Sequence, residues 1–170
     1  MIIRLGEREL ATKFGTYKEV LYYDGQRESI AIVMGDVADG EKVLCRIHSN
    51  CISAHVFNSV ECDCREQMEA SQLLIEKEGR GVIIWLDQEG KGNGHLALIQ
   101  SASFKSAGNS QAIAYQKAGF QADPRSYGAA ASILNDLKIR TIVLLVNGSG
   151  KVEGLKKESI VVAGTIKLSG

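Results

Sequence analysis

The hydrophobic period changes once along this chain, and that change constrains its architecture more than any other feature. Up to about residue 50 apolar side chains alternate with polar ones, the pattern of half-buried strands. Thr16–Tyr23 and Glu28–Val37 are two such runs joined across Asp24-Gly25, a hairpin signal, and Lys42–His48 is a third, entered through Asp39-Gly40. From residue 63 the period becomes helical, roughly 3.6. Helices are expected over Asp63–Glu78, His95–Ala107, Ser110–Ala118 and Gly150–Glu158. Another follows Asp123-Pro124, with Tyr127, Ala130, Ala131, Leu134 and Leu137 on one face. Between them Gly81–Asp87 and Arg140–Val146 read as buried strands, and Ile160–Leu168 as a final one. Antiparallel strands followed by alternating helices and strands predict an α+β fold: a mixed β-sheet with antiparallel N-terminal strands and covering helices. With no repeat, linker or composition break in 170 residues, one domain over 1–170 is expected.

Charge narrows the function. Twenty Lys and Arg balance twenty Asp and Glu, which argues against nucleic acid as the partner. No apolar run approaches the roughly 18 residues of a membrane span. The opening MIIRLGERELATKFG has charges where a leader needs its apolar stretch, so a cytoplasmic location is expected. In that reducing setting the four cysteines are expected to be thiols, metal ligands or catalytic groups, not disulfides.

Three of them lie in HSNCISAHVFNSVECDCREQ, as Cys51, Cys62 and Cys64. The spacing is not a paired CxxC arrangement, yet local physics favours a metal. Asp63, with Glu66 three residues on, forms a variant capping box that puts Cys64 at the first helical position, where free N–H groups favour a thiolate. Three thiolates together repel unless they share a cation, and zinc suits soft sulfur ligands. The fourth corner is open to water, as in a catalytic site, or closed by His48, His55 or Cys45; Cys45 alternates with Arg46 in a strand and is expected to face the core, and His95 the surface. The plainer alternative is three small apolar residues in a core.

Two glycine-rich turns follow the buried strands. Gln88–Gly94 (QEGKGNG) is not the dinucleotide fingerprint, but the ionised carboxylate of Glu89 offers two coplanar acceptors to the N–H groups of a guanine edge. Asn147–Lys151 (NGSGK) fails as a P-loop, because Leu145 and Val152 stand where a glycine and a hydroxyl are required. Its backbone amides and Lys151 could still hold a phosphate, and Arg46 and Arg125 could clamp one. Each of these features taken alone is also an ordinary turn or surface charge.

Taken in order, RIHSNC, ECDCREQ, EGRGVIIWLDQEGKGNG, AGFQADPRSYG and LLVNGSGK resemble the GTP cyclohydrolase II family over roughly residues 10–165. Members open the imidazole ring of GTP and release formate and pyrophosphate, the first committed step toward riboflavin. The resemblance implies one zinc per chain on Cys51, Cys62 and Cys64, with room for Mg2+ on the substrate phosphates. It places Arg46 and Lys151 at the phosphates, and Gln67 and Glu89, with Gly90 and Lys91 beside them, at the guanine. It makes Arg125 the group attacking the α-phosphate, with Asp123 its acidic neighbour, and it implies a homodimer.

The departures fall on substrate groups. The family's tyrosine in the helix after the glycine-rich loop is Ala102, the arginine of QEGR is Lys91, the phosphate-loop threonine is Val146, and an asparagine-proline pair is Gly148-Ser149. A working zinc site with altered substrate or product is therefore expected, the reaction stopping at a formamido product. A zinc hydrolase acting on another nitrogen heterocycle, and a non-catalytic zinc-containing nucleotide-sensing module, are the alternatives.

Overall fold

A computed structural model describes residues 1–168. Seven strands form one sheet: β1 (Ile3–Thr12), β2 (Gly15–Tyr23), β3 (Glu28–Met34), β4 (Val43–Ser49), β5 (Gly81–Leu86), β6 (Thr141–Leu145) and β7 (Val161–Ile166), in spatial order β1-β2-β3-β5-β4-β6-β7. The pairs β1–β2, β2–β3 and β3–β5 are antiparallel, whereas β4–β5, β4–β6 and β6–β7 are parallel. The expected mixed sheet with antiparallel N-terminal strands is thus observed. Its helices are α1 (Ile52–His55), α2 (Cys64–Glu78), α3 (His95–Ser106), α4 (Gln111–Lys117), α5 (Gly128–Asp136) and α6 (Gly150–Lys157).

Alternation along the strands sorts side chains between two faces. Val43, Cys45 and Ile47 of β4 join Val82, Ile84 and Leu86 of β5 in the larger core, under Ala130, Ile133 and Leu134 of α5 and Leu155 of α6. Cys45 faces this core, as expected. The opposite face is covered by α2, whose Ile75 packs with Ile83 and Tyr17. Gly81 permits that approach: a Cβ there would lie 2.7 Å from Ile75 Cγ1. Arg46 and His48, one residue out of step with Ile47, fall on the α2 face and are buried there.

The hairpin forms as expected, Asp24 Oδ1 accepting the backbone N–H groups of Gln26 and Arg27, each at 2.8 Å. β3 ends earlier than the apolar pattern suggests, because the chain turns through Gly35 at φ 69°. β1 has no counterpart in the sequence reading, since it buries no side chain and is held by its ladder to β2. None of the described helices is long and apolar enough to cross a membrane.

The carboxyl ends of β4, β5 and β6 lie side by side and feed the segments after Ser49, Leu86 and Leu145. Loops leaving parallel strands at one edge make the crevice in which open α/β sheets hold ligands.

Candidate active site

The site begins where β4 ends. Asn50 donates its backbone N–H to Leu86 O at 2.9 Å, so the chain leaves the sheet beside β5, and Cys51 immediately starts the short α1. The chain returns through Cys62 to Cys64, the first residue of α2, as the sequence predicts. The three Sγ atoms lie within 4.8 Å of one another, with Cys51 and Cys62 3.4 Å apart. That is well beyond the roughly 2.05 Å of a disulfide, and all three are free thiols.

The expected capping box does not form. Asp63 is the N-cap residue but makes no side-chain cap bond; its Oδ1 accepts the Gln67 side-chain amide at 2.8 Å. The competing partner one turn along takes the carboxylate away from the helix amides. Burial and the thiols of Cys51 and Cys62 push the Cys64 thiol up, and burial pushes Cys51 up. Metal-free, Cys51 and Cys64 are therefore held as thiols, and a soft cation shared by the three sulfurs would reverse that balance. The donor set, the spacing and the absence of a disulfide fit a metal ion held by three cysteines.

Glu89 opens a 3₁₀ turn over Glu89–Gly92, in which Gly90 and Lys91 adopt left-handed φ of 59° and 55°. Its Oε2 accepts Ile52 N–H at 2.9 Å, which ties this turn to α1 and leaves the other carboxylate oxygen for a ligand. Gln88 donates its side-chain amide to Ser126 O at 2.6 Å, while Gln88 Oε1 and, nearby in the same wall, Ser49 Oγ are buried without a partner. Buried acceptors left open inside a cavity are where ligand donors are satisfied.

A cavity of about 630 Å³ joins these groups, a size suited to a small organic ligand. Cys51, Cys62, Cys64, Glu89, Gly90, Lys91 and Arg125 all line it. Arg125 grips Asp123 with two bonds, Nε to Oδ1 at 2.7 Å and Nη2 to Oδ2 at 2.5 Å. Burial pushes the Asp123 carboxyl up, but its bonds to Arg125 outweigh this and hold it below the usual range. Ala102, on α3, is also in the wall, and so is Tyr115 of α4.

Arg46, Gln67 and Lys151 do not line the cavity. Buried Arg46 donates to Leu145 O at 3.0 Å and to Gln67 Oε1 at 2.5 Å, so that Gln67 bridges Arg46 and Asp63. Lys151 Nζ donates to Ile47 O at 2.7 Å. Burial, then Arg46 and Arg125, depress this lysine to about 7. The three residues form an internal layer behind the thiol corner, and of the basic groups named in the sequence only Lys91 and Arg125 reach the cavity itself.

Nor do the two histidines join the thiols. His48 Nε2 and His55 Nε2 are 2.8 Å apart, one donating to the other, and His48 Nδ1 faces the Arg46 guanidinium at 3.4 Å. Burial, then Arg46, holds His48 at about 2, so it is neutral at any working pH. His95 is exposed at the start of α3, as expected. The His48–His55 contact, the open acceptors of Gln88 and Ser49, and the Ile52 amide on Glu89 are features that the sequence alone does not reveal.

Fold and site together define a mixed-sheet protein with a three-thiol corner able to hold a metal ion, in a cavity at the carboxyl ends of parallel strands. Residues 4–167 match the family described as GTP cyclohydrolase II. Among curated relatives, the riboflavin biosynthesis protein RibBA of Bacillus mycoides is 40% identical over 158 residues, and that of Bacillus cytotoxicus 41% over 152. These alignments cover 92% and 88% of this chain but 40% and 38% of the relatives, so the chain spans about two-fifths of their length. Among solved structures, A. baumannii RibBX, described as a two-domain 3,4-dihydroxy-2-butanone 4-phosphate synthase, shares the fold with a TM-score of 0.56 at 19% identity, covering 97% of this chain and 40% of that one. The chain belongs to the GTP cyclohydrolase II family.

Proposed function

We propose that this chain is a zinc-dependent hydrolase that opens the imidazole ring of a guanine nucleotide, GTP first, and releases pyrophosphate. The observation that carries the reading is the convergence, on one cavity, of three metal-competent thiols, a carboxylate with one open oxygen and an arginine fixed by its own aspartate. Cys51, Cys62 and Cys64 would hold the zinc, which when bound supplies a Lewis acid and lowers the pKa of water toward neutrality. The free oxygen of Glu89 accepts N–H groups of the base, and the turn at Gly90 and Lys91 brings the backbone close to it. Arg125, oriented by Asp123, faces the α-phosphate. Arg46 and Lys151 act on the phosphates after exchanging their carbonyl partners for ligand oxygens, with Mg2+ accompanying those phosphates, and Gln67 turns from Arg46 toward the base. The proposal includes a homodimer.

Ala102 provides no proton donor at the wall where the family has a tyrosine, so the proposed product keeps its formyl carbon as a formamide. Zinc-loaded protein incubated with GTP, with products read by mass spectrometry, tests this: the expected product carries the formyl group, and stoichiometric formate contradicts it. Ala102→Tyr is expected to raise formate release by about 100-fold, the lower range for a general acid.

The internal bonding of Arg46, Gln67 and Lys151 favours one second reading, a zinc hydrolase of the same fold acting on a heterocycle without a triphosphate. Including non-phosphorylated heterocycles in the same incubation separates the two.

A further inference from the structure

We propose that Tyr115 is a catalytic residue of this cavity, its phenol handing a proton to the ring nitrogen released when the imidazole opens. The inference rests on the ring-opening reading above and adds to it a residue from a different helix, α4.

Three tyrosines of this chain have fully buried side chains: Tyr17, Tyr22 and Tyr115. Two donate their hydroxyls within the protein, Tyr17 to Gln72 O at 3.3 Å and Tyr22 to Asp136 Oδ2 at 2.7 Å. The Tyr115 side chain is only 1% exposed and lines the cavity, and unlike the other two its hydroxyl makes no hydrogen bond to a described residue, though it is not sealed as Ser49 Oγ and Gln88 Oε1 are. A phenol that neither bonds within the protein nor is sealed from the cavity it lines is placed for a ligand. Its position is fixed by the loop: a Cβ built on Gly90 would lie 3.5 Å from Tyr115 Oη, which sets the hydroxyl against the residue that follows Glu89. A base held by Glu89 therefore has this phenol beside it.

The environment keeps the phenol a donor. Burial, with the charge of Glu89 next and Cys51 and Asp123 adding to it, pushes Tyr115 up to about 12, Arg125 opposing. It holds its proton at neutral pH. The facing helix α3 offers no rival at Ala102, and the neighbouring Ser101 hydroxyl is engaged with Leu98 O and the Gln111 amide, each at 3.3 Å.

The step balances without a further reactant. Water adds its oxygen to C8, and one of its protons goes to N7. The C8–N9 bond then breaks with its electron pair going to N9, which takes the Tyr115 proton. The hydroxyl on C8 loses its proton to the phenolate as the formamide carbonyl forms, and Tyr115 is restored. Removing the formyl group afterwards requires protonation of N7, a different nitrogen, for which Ala102 provides nothing. One phenol thus serves the opening and leaves the formamide.

The test uses full-length zinc-loaded protein and GTP in single-turnover reactions, comparing the unaltered chain with Tyr115→Phe. The expected result is a ring-opening rate constant about 100-fold lower in the variant. Its zinc content and GTP dissociation constant should stay within twofold of the unaltered chain, and its thermal midpoint within about 4 °C. Ring opening within threefold of the unaltered rate would overturn the proposal. So would a loss of GTP affinity matching the loss of rate, which would make Tyr115 a binding group only. If the unaltered protein itself leaves GTP intact, the ring-opening reading fails first and this proposal with it. A variant that loses zinc or stability is replaced by Tyr115→His, a donor of different reach, in which recovery of at least a tenth of the rate supports proton transfer and none contradicts it.

Discussion

The two halves of the sheet are built by the same alternation but used differently. The antiparallel half, β1 to β3, contributes core from β2 and β3, yet its edge strand β1 buries nothing and carries exposed ion pairs such as Arg8 with Glu19. Of the parallel strands β4 to β7, the inner three, β4 to β6, are buried on both faces while β7 is a largely exposed edge, and every candidate site residue lies in the inner three or in the loops and helices that leave them. A ladder closed by short hairpins supplies scaffold. Parallel strands require crossovers, and the crossovers bring Cys51, Glu89 and Lys151, far apart in sequence, to one edge.

The contrast is broken most severely at the thiols. Cys62→Ser and Cys64→Ser are each expected to weaken zinc binding by at least about 100-fold, since each removes one of the three sulfurs proposed to hold the metal. Metal analysis after dialysis checks this, and full occupancy in both variants would remove the parallel edge from the chemistry. Next comes packing. Gly81→Ala sets a methyl against Ile75 and should destabilise the chain by about 1–3 kcal/mol in denaturant titration.

What the sequence makes legible depends on where each constraint resides. The continuous apolar runs of β5 and β6, and the start of α2 at Cys64, are local patterns and read directly from the sequence. β1 was invisible because its formation depends on pairing with β2, and none of its side chains shows a buried face. α1 is a four-residue turn, too short to display a period. The thiol cluster was legible because like-charged ligands crowded in sequence imply a cation. The link from Arg46 through Gln67 to Asp63, which also undoes the capping box, depends on which face of β4 meets α2, a tertiary fact. The same holds for Tyr115 beside Gly90, contributed by separate crossovers.

Two smaller effects sharpen the comparison. Lys151 is charged below about 7 and neutral above it, so any phosphate affinity it confers is present at low pH and lost as pH rises through that value. Binding of inorganic pyrophosphate is expected to be about tenfold weaker at pH 8 than at pH 6, with the dependence flattened in Lys151→Gln. In the antiparallel half, Arg8→Ala should change stability by no more than about 0.5 kcal/mol, because its partner lies across an exposed ladder.

On the proposed function, the three cysteines hold a catalytic zinc with one position left for a reacting oxygen. X-ray absorption at the zinc edge of the zinc-loaded protein tests it most directly. Three sulfur ligands at about 2.3 Å and one oxygen at about 2.0 Å are expected. A fourth protein ligand that closes the site, or zinc bound without the three sulfurs, would contradict it.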